Sequence, residues 1–292
     1  MFFSKIILVG HGKIAKDILE YIVNIGLVKI DVIESEKSNF STLNYFSKGK
    51  YKHHETPKNI NEKINELISS QDGKVLIISA NNNTIFTEKI LKDSSLVIIN
   101  FHNSFLPFHR GRNAPTWVIY DGDLFTGVSW HFIGDKLDSG TIFSQKKWFL
   151  NGDETALSLV MRSMKEGFFL FEKFYSKLIR FGPEKFSDKN YSEPLKRKPH
   201  LSTDVPSCGI LNINKNNTSI YKLLRSVDYY PYQIFEPLRT VISEISYKIK
   251  EYSVDPPKYN NPQKRYEFVS KRQILLYDNK FDINLTVKKI NE

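Results

Sequence analysis

The sequence predicts an α/β protein, with a doubly wound, mostly parallel sheet followed by a smaller β-rich domain. Early in the chain, short runs rich in Val, Ile and Leu alternate with segments of helical periodicity, which is typical of parallel strands joined by helices. After a stretch with four prolines, several short β-rich runs follow one another. We therefore expect one domain at 1–182, a linker at 183–206, and a small OB-like or curled β-sheet domain at 207–292.

The first elements begin at the amino terminus. Residues 5–9 predict a strand, residues 10–12 a glycine turn and residues 13–25 a helix. Four apolar side chains at helical spacing would face the sheet: Ile14, Ile18, Leu19 and Ile22. The turn fits the glycine pattern of dinucleotide-binding proteins only loosely, with Glu34 as a weak candidate for their ribose-binding acid. The alternative is a tight turn that packs the helix on the strand.

Three more strands are predicted at 28–33, 75–80 and 96–101, with a helix near 58–70. The polar residues 81–84 would cap the next helix. In a doubly wound sheet, ligands bind at the carboxyl ends of the strands. The residues that follow the last two of these strands are therefore expected to share one site.

Composition is that of a globular protein, with 40% hydrophobic and 25% charged residues among 292. Cys208 is the single cysteine, which excludes an internal disulfide and favours a reducing compartment. No apolar run approaches the roughly 20 residues that span a bilayer, and the short apolar start is interpreted as a strand rather than a signal peptide. We expect a cytoplasmic protein with no membrane partner. The formal net charge of +10 favours anionic partners, although a generally lysine-rich surface is the preferred explanation.

Two adjacent histidines, His53 and His54, are interpreted as a solvated pair. Neighbouring strand residues point apart and helical metal ligands need a wider spacing, so the pair is a poor metal signal. The sequence predicts no metal site.

Residues 97–140 carry the densest chemistry. The apolar strand ends in Asn100 and His102, which point to the same face if the strand persists. A loop rich in Pro and Gly follows, then a second strand at 127–133, and Asp138 stands in a tight turn. An amide donor, an imidazole and a carboxylate could therefore meet at one place.

Two motifs in this stretch resemble the signature of the folate-dependent formyltransferases. The first reads NFHNSFLP at 100–107, followed by Arg110-Gly111, and the second reads LDSG at 137–140. The family pattern is Asn-x-His-x-Ser-x-Leu-Pro with a later Leu-Asp-Ser/Thr-Gly, and both order and spacing agree. The resemblance covers about residues 1–180 well and the remainder weakly.

The resemblance implies formyl transfer from N10-formyltetrahydrofolate to an amine. Asn100 would orient the formyl group and stabilise the oxyanion. His102 would be the acid/base, since the ordinary pKa of imidazole, about 6.5, suits neutral pH. Asp138 would orient or charge His102 and accept the amine proton, directly or through a water. Taken singly, each residue also has a structural interpretation, as a turn cap, a buried imidazole or a turn residue.

The resemblance also implies two groups of binding residues. Backbone and apolar walls would hold the pteridine: Ala80, Asn81, Asn82, Phe86, Ser104, Phe105, Leu106, Ile133 and Asp135. The substrate would meet the glycine turn and a later loop: Gly10, His11, Gly12, Arg110, Arg112, Asn113 and Trp117. The glycine turn is expected near a substrate phosphate rather than a nicotinamide cofactor. Arg110 either braces its loop or meets a phosphate, and His131 is expected either to line the wall of the pocket or to stand behind the residues that do.

Beyond the linker, a strand is predicted at 208–213 and a short helix at 219–226. Five β-rich runs follow, at 240–246, 247–254, 266–270, 274–277 and 283–287. The stretch around Gly209 and Leu224-Arg225 resembles the small C-terminal domain of the methionyl-tRNA and aminoarabinose formyltransferases.

The leading hypothesis for the amine is a nucleotide-linked amino sugar, formylated on its 3- or 4-amino group for surface-polysaccharide synthesis such as O-antigen of lipopolysaccharide. The chain lacks the basic insertion expected of a tRNA formyltransferase, yet it has a second domain, unlike the single-domain purine enzyme. Methionyl-tRNA, which the positive charge would suit, is the first alternative, and an amino acid or other small amine is the second. A non-catalytic amine binder is disfavoured because all three catalytic positions are present. A homodimer is expected by resemblance to the sugar branch.

Overall fold

The computed structural model describes residues 1–36, 43, 49–69, 71–186, 198–259, 262 and 264–290. The chain divides into two compact units. The first consists of Met1–Arg112, Thr126–Trp148 and Val160–Pro199, and the second of Asn113–Phe125, Phe149–Leu159 and His200–Glu292. None of the helices among the described residues combines the length and the apolarity that a membrane crossing requires.

A seven-stranded sheet, in the order β3-β2-β1-β4-β5-β6-β7, organises the first unit. Its strands are β1 (Phe3–Gly10), β2 (Lys29–Glu34), β3 (Lys52–His54), β4 (Lys74–Ala80), β5 (Leu96–His102), β6 (Phe125–Phe132) and β7 (Ile142–Phe149). The strands from β3 to β5 pair in parallel, whereas β6 runs antiparallel to β5. The prediction of a doubly wound, mostly parallel sheet is confirmed.

In the described part of the chain, four helices lie between these strands: α1 (Gly12–Ile25), α2 (Ile60–Ile68), α3 (Glu88–Leu91) and α4 (Ala114–Asp121). A fifth, α5 (Ala156–Phe181), follows β7. The four apolar residues predicted to face the sheet from α1 are all fully buried. The helix ends at Gly26, whose φ of 66° is the left-handed conformation that glycine adopts without a side-chain clash.

The prediction that residues 81–84 cap a helix is wrong. Asn82 instead makes a local turn, because its side-chain oxygen accepts from the N–H of Thr84 at 3.0 Å. Asn81 adopts a φ of 55°, and α3 begins only at Glu88. Asparagine side chains compete with helical backbone bonds in this way, and here the turn wins over the cap.

His53 and His54 are not a solvated pair, which corrects that interpretation. They lie in the edge strand β3, and their side chains keep only 10% and 20% exposure. His53 Nε2 is 3.2 Å from a carboxylate oxygen of Glu34, and His54 Nε2 is 2.7 Å from one of Asp31. Asp31 also pairs with Lys5 at 2.8 Å. The two imidazoles thus attach β3 to β2 through carboxylates.

The indole of Trp130, on β6, packs against helix α5. Its Nε1 donates to the backbone carbonyl of Gly167 at 2.9 Å, and its rings contact Phe171 and Phe174 of α5. A Cβ added at Gly167 would lie 2.2 Å from the ring of Phe101, so only glycine lets α5 come this close to β5. The carboxyl half of α5 is therefore fixed against the strands that carry the predicted site.

The second unit contains α6 (Asn217–Ser226) and a five-stranded antiparallel sheet in the order β10-β11-β12-β9-β8. The strands are β8 (Arg239–Ile242), β9 (Ile245–Asp255), β10 (Tyr266–Ser270), β11 (Gln273–Leu276) and β12 (Asp282–Lys289). The predicted β-rich domain and its helix are confirmed.

The strand predicted at 208–213 is wrong. A 3-10 turn at Pro206–Gly209 takes its place, and the segment makes a single isolated bridge, from Ile210 to Arg239. Ser207 and Cys208 both have a φ of 52°, which an extended strand does not allow.

The compact units interleave along the chain, because segments 113–125 and 149–159 group with the second unit. Within that unit, Thr116 Oγ1 lies 2.8 Å from the hydroxyl of Tyr229, and Arg225 donates to the carbonyl of Glu154 at 2.6 Å. These contacts explain the grouping. Residues 187–197 of the expected linker lie outside the described residues, and the boundaries at 182 and 206 stay a prediction.

Candidate active site

The carboxyl end of β5 presents two polar side chains on one face. The strand extends one residue beyond its predicted end, to His102, which meets the condition under which Asn100 and His102 share a face. The antiparallel register places His131 of β6 directly opposite Asn100. Asn100 Nδ2 and His131 Nε2 are 3.1 Å apart. An amide and an imidazole from two adjacent strands are thereby in direct contact.

Asp138 reaches these side chains from the turn after β6. Its φ is 48°, and its side chain is 9% exposed. Oδ2 accepts from the backbone N–H of Gly111 at 2.7 Å and lies 3.5 Å from His102 Nδ1. Oδ1 lies 3.7 Å from His131 Nε2. The structure therefore brings together the three residues that the sequence motifs single out, with His131 as a fourth.

The imidazole of His102 has a defined orientation. Its Nε2 donates to the backbone carbonyl of His109 at 2.9 Å, so Nδ1 is the nitrogen that faces Asp138. Burial lowers the pKa of His102 below its ordinary value, and the nearby Asp138 carboxylate opposes that shift only partly. The ring is therefore neutral at pH 7, with its Nδ1 lone pair directed at the carboxylate.

Asp138 is ionised in the same arrangement. Burial alone would raise the pKa of its carboxyl group, but the attraction of His102 and His131 in their protonated forms, with the hydrogen bond from the N–H of Gly111, holds that pKa well below its usual range. A neutral imidazole and a carboxylate thus stand side by side, and together they can take up one proton.

The loop after β5 is held from β6 and β7. Ser129 Oγ donates to the carbonyl of Ser104 at 2.8 Å and accepts from the N–H of Leu106 at 3.0 Å. Gln145 Nε2 donates to the carbonyl of Leu106 at 2.9 Å. The Arg110 guanidinium donates to the carbonyl of Leu137 at 3.2 Å, which joins this loop to the turn that carries Asp138. Of the two roles considered for Arg110, bracing its loop or meeting a phosphate, this contact supports the first.

The residues predicted to hold the pteridine fall into different environments. Ala80 and Leu106 are buried, Phe105 and Ile133 are half-buried, and Asp135 is exposed. Phe86 is 6% exposed and belongs to the apolar core. The side chain of Asn81 donates to the backbone carbonyl of His11 in the glycine turn, and that of Asn82 donates to the Oγ of Ser79, each at 3.4 Å.

The predicted substrate turn packs tightly against β4. A Cβ added at Gly10 would lie 2.0 Å from the carbonyl oxygen of Ala80, and Gly12 has a φ of 68°. His11 Nδ1 is 3.0 Å from Ser35 Oγ, and its Nε2 is 3.3 Å from a carboxylate oxygen of Glu36. Burial lowers the pKa of His11, against the opposing effect of Glu36.

Three further substrate candidates, Arg112, Asn113 and Trp117, are assigned to different units. Arg112, in the first unit, donates to the carbonyl of Asn83 at 2.9 Å. Asn113 and Trp117 belong to the second unit, where the indole of Trp117 stacks on His200 at 4.2 Å. Glu34, the weak ribose-binding candidate, is buried and paired with His53. Among the described residues, no group of three or more His, Cys, Asp or Glu is arranged to hold a metal ion.

Sequence reasoning missed the supports of the site. The carbonyl of His109 and the N–H of Gly111 act through the backbone, which leaves no side-chain signal in the sequence. Ser129 and Gln145 hydrogen-bond to Leu106 from 23 and 39 residues further along the chain. Contacts at such separations leave no pattern in the sequence.

Comparison with known proteins identifies the domain that holds these residues. Residues 29–170 match the family described as formyl transferase. The chain carries a formyl transferase domain. The resemblance drawn from the two sequence motifs is therefore confirmed, and all four residues of the site lie within the formyl transferase match.

Relatives of this formyl transferase domain act on different amines. The chain is 26% identical over 157 residues to GDP-perosamine N-formyltransferase of Brucella melitensis, covering 54% of this chain and 58% of that protein. It is 28% identical over 176 residues to methionyl-tRNA formyltransferase of Agathobacter rectalis, covering 60% of this chain and 55% of that protein. The chain thus spans less than two thirds of either relative.

A solved structure shares the fold over the whole chain. WlaRD, a sugar 3N-formyl transferase crystallised in the presence of dTDP and 5-N-formyl-THF, superposes with a TM-score of 0.70. The match covers 100% of this chain and 99% of that one, at 18% identity. The β-rich second unit therefore belongs to the shared fold, as well as the formyl transferase domain.

Proposed function

We propose that this protein is an N-formyltransferase that moves a formyl group from N10-formyltetrahydrofolate to the amino group of a nucleotide-linked amino sugar. The observation that carries the proposal is the convergence of Asn100, His102 and Asp138 within one formyl transferase domain. The perosamine enzyme and WlaRD support a sugar amine.

The donor set fits a formyl-carrying folate. Bound there, the folate would supply the formyl carbon as a weakly electrophilic amide. Asn100 offers an amide N–H for the formyl oxygen, and the neutral His102 beside the ionised Asp138 offers a place for the proton that the amine loses. The backbone of 104–106 and of 133–138 would hold the pteridine, whereas the core position of Phe86 gives no support for its part in that pocket.

Proton transfer follows from the orientation of the pair. His102 Nε2 is committed to the His109 carbonyl, so only Nδ1 can accept a proton, and Asp138 Oδ2 lies 3.5 Å from it. As the amine attacks, its proton would pass to Asp138 or, through it, to His102. The same proton would then return to the leaving nitrogen. Asn100 would meanwhile stabilise the negative charge that develops on the formyl oxygen.

The first test is a survey of acceptors. Wild-type protein is incubated with N10-formyltetrahydrofolate and a panel of amino-sugar nucleotides, charged methionyl-tRNA and free amino acids, and each acceptor is followed for the gain of a formyl mass. Gain on amino-sugar nucleotides is expected, and none on the Asn100→Ala control. Gain on no amine at all would refute the proposal.

Methionyl-tRNA is the second candidate, favoured by the formal charge of +10 and by the Agathobacter relative. Binding to tRNA would weaken steeply with salt, because phosphate contacts release counterions, whereas binding to a sugar nucleotide would depend on salt only slightly. Measuring affinity across salt concentrations separates the two.

We further propose, from the resemblance to the sugar branch, a cytoplasmic homodimer that serves surface-polysaccharide synthesis. Sedimentation analysis of the purified chain tests the dimer, and a monomer at all concentrations would contradict it.

A further inference from the structure

The imidazole of His131 has its proton assigned by its surroundings. Nδ1 lies 2.9 Å from the backbone carbonyl of Phe132, and a carbonyl can only accept. Nδ1 must therefore carry hydrogen. In the neutral ring, Nε2 then has a lone pair and can only accept.

The partner of Nε2 is the amide of Asn100. Asn100 Nδ2 is 3.1 Å from it, within hydrogen-bond range, whereas Asp138 Oδ1 at 3.7 Å is beyond that range. A lone pair on Nε2 requires a donor, so the nitrogen side of the amide turns toward His131. An amide nitrogen has two hydrogens, and the second stays available.

We infer that His131 is a positioning residue that fixes the orientation of the Asn100 amide, so that one N–H is bound by the imidazole and the other is held ready for the formyl oxygen. This inference rests on the proposed formyl transfer. His131 would not touch the reacting atoms, because its ring is 1% exposed and both of its nitrogens are occupied.

Two substitutions separate orientation from packing. His131→Leu fills the space without an acceptor, and His131→Gln returns a side-chain oxygen that can accept from Asn100. We expect His131→Leu to lower kcat by about 10- to 100-fold with little change in either KM, as for a misplaced catalytic group. His131→Gln should recover most of that loss.

A matched control removes another buried histidine. His54→Leu deletes an imidazole that pairs with Asp31 in the same unit, away from the site. Its kcat should equal that of wild type even where its melting temperature falls. If His54→Leu and His131→Leu lower kcat alike, or if His131→Gln fails to recover activity, the inference is overturned.

A spectroscopic measurement tests which nitrogen of His131 carries the proton, and it needs no activity assay. The chain has 7 histidines, and 15N-imidazole spectra of wild type and His131→Gln identify the pair of resonances from His131 by their loss. We expect a protonated Nδ1 and an unprotonated Nε2 at pH 7.5. A protonated Nε2 would overturn the inference. Should wild type formylate no amine, the proposed function fails, and this spectrum still decides the orientation.

Discussion

The backbone N–H of Gly111 donates to Oδ2 of Asp138 at 2.7 Å, and this bond ties the loop after β5 to the turn after β6. The same oxygen lies 3.5 Å from His102 Nδ1. One carboxylate oxygen therefore serves both the positioning of the loop and the proposed proton transfer.

Asp138→Asn separates these two tasks. The asparagine oxygen can still accept from Gly111, but the side chain can no longer hold a proton. We expect kcat to fall by at least about 10²-fold, the usual contribution of a positioned acid or base, while the melting temperature stays near that of wild type. Steady-state kinetics and thermal unfolding measure the two effects, and turnover within a few-fold of wild type would exclude Asp138 as the proton acceptor.

The protonation of His102 gives a second prediction. Burial lowers its pKa, so the ring should stay neutral as the pH falls through the ordinary histidine value of about 6.5. An NMR titration of the ring C–H signal, assigned by its loss in His102→Asn, should show no change until the pH is well below that value. A midpoint at or above it would contradict a neutral His102 in the resting site.

Asp31 is expected to support stability through its pairs with Lys5 and His54. Burial alone would raise the pKa of this carboxyl group, but those two partners lower it overall. A lowered folded pKa means that the stabilisation is complete above the unfolded value, about 3.9, and is lost as the pH falls through the folded value. At pH 7, Asp31→Asn should lose about 3 kcal/mol of unfolding free energy, because a buried charge loses its partner.

Urea unfolding of wild type and Asp31→Asn at pH 7 and below pH 4 measures this difference. The difference in unfolding free energy between wild type and Asp31→Asn should be smaller at the lower pH. A difference that is equal at both pH values, or absent at pH 7, would rule out the ionic contribution. Lys5→Met combined with Asp31→Asn should cost less than the sum of the single changes, since neither charge is then left alone.

A hydroxyl pair in the second unit gives a prediction on stability alone. Tyr229 is 7% exposed, and its hydroxyl lies 2.8 Å from Thr116 Oγ1. Burial raises the pKa of Tyr229 to about 12. Tyr229→Phe should lower the unfolding free energy by about 1–2 kcal/mol, because the Thr116 hydroxyl is left without its partner.

Tyr230→Phe is the matched control, since Tyr230 is the adjacent residue and is 82% exposed. It should unfold like wild type. Equal losses in the two variants would show that the buried pair adds nothing.

The parallel sheet and the polar carboxyl end of β5 could both be predicted from the sequence, because both follow from the pattern of apolar residues. A buried strand needs a continuous apolar run, so the change from Ile99 to Asn100 and His102 marks where polar side chains begin at the carboxyl end of the strand. The pairs of His53 and His54 escaped prediction because Glu34 and Asp31 lie on another strand, at separations with no periodic pattern.

Local competition explains the remaining errors. Residues 81–84 have side chains that often cap helices, yet the side-chain oxygen of Asn82 accepts from the N–H of Thr84 in a turn that precedes the helix. The apolar residues Ile210, Leu211 and Ile213 favoured a strand at 208–213, but the left-handed conformation of Ser207 and Cys208 turns the chain first. Neither preference is visible without the surrounding structure.

The reversal of strand direction at β6 has a consequence for how such a protein can diversify. Because β5 and β6 pair residue by residue, Asn100 and His131 stay opposite each other when residues are inserted or removed at 112–124, beyond the supports supplied by His109 and Gly111. Such changes can alter which acceptor fits while the reacting groups keep their spacing. The paired strands and the first part of the loop fix the reactivity, and the segment after Gly111 is free to diversify.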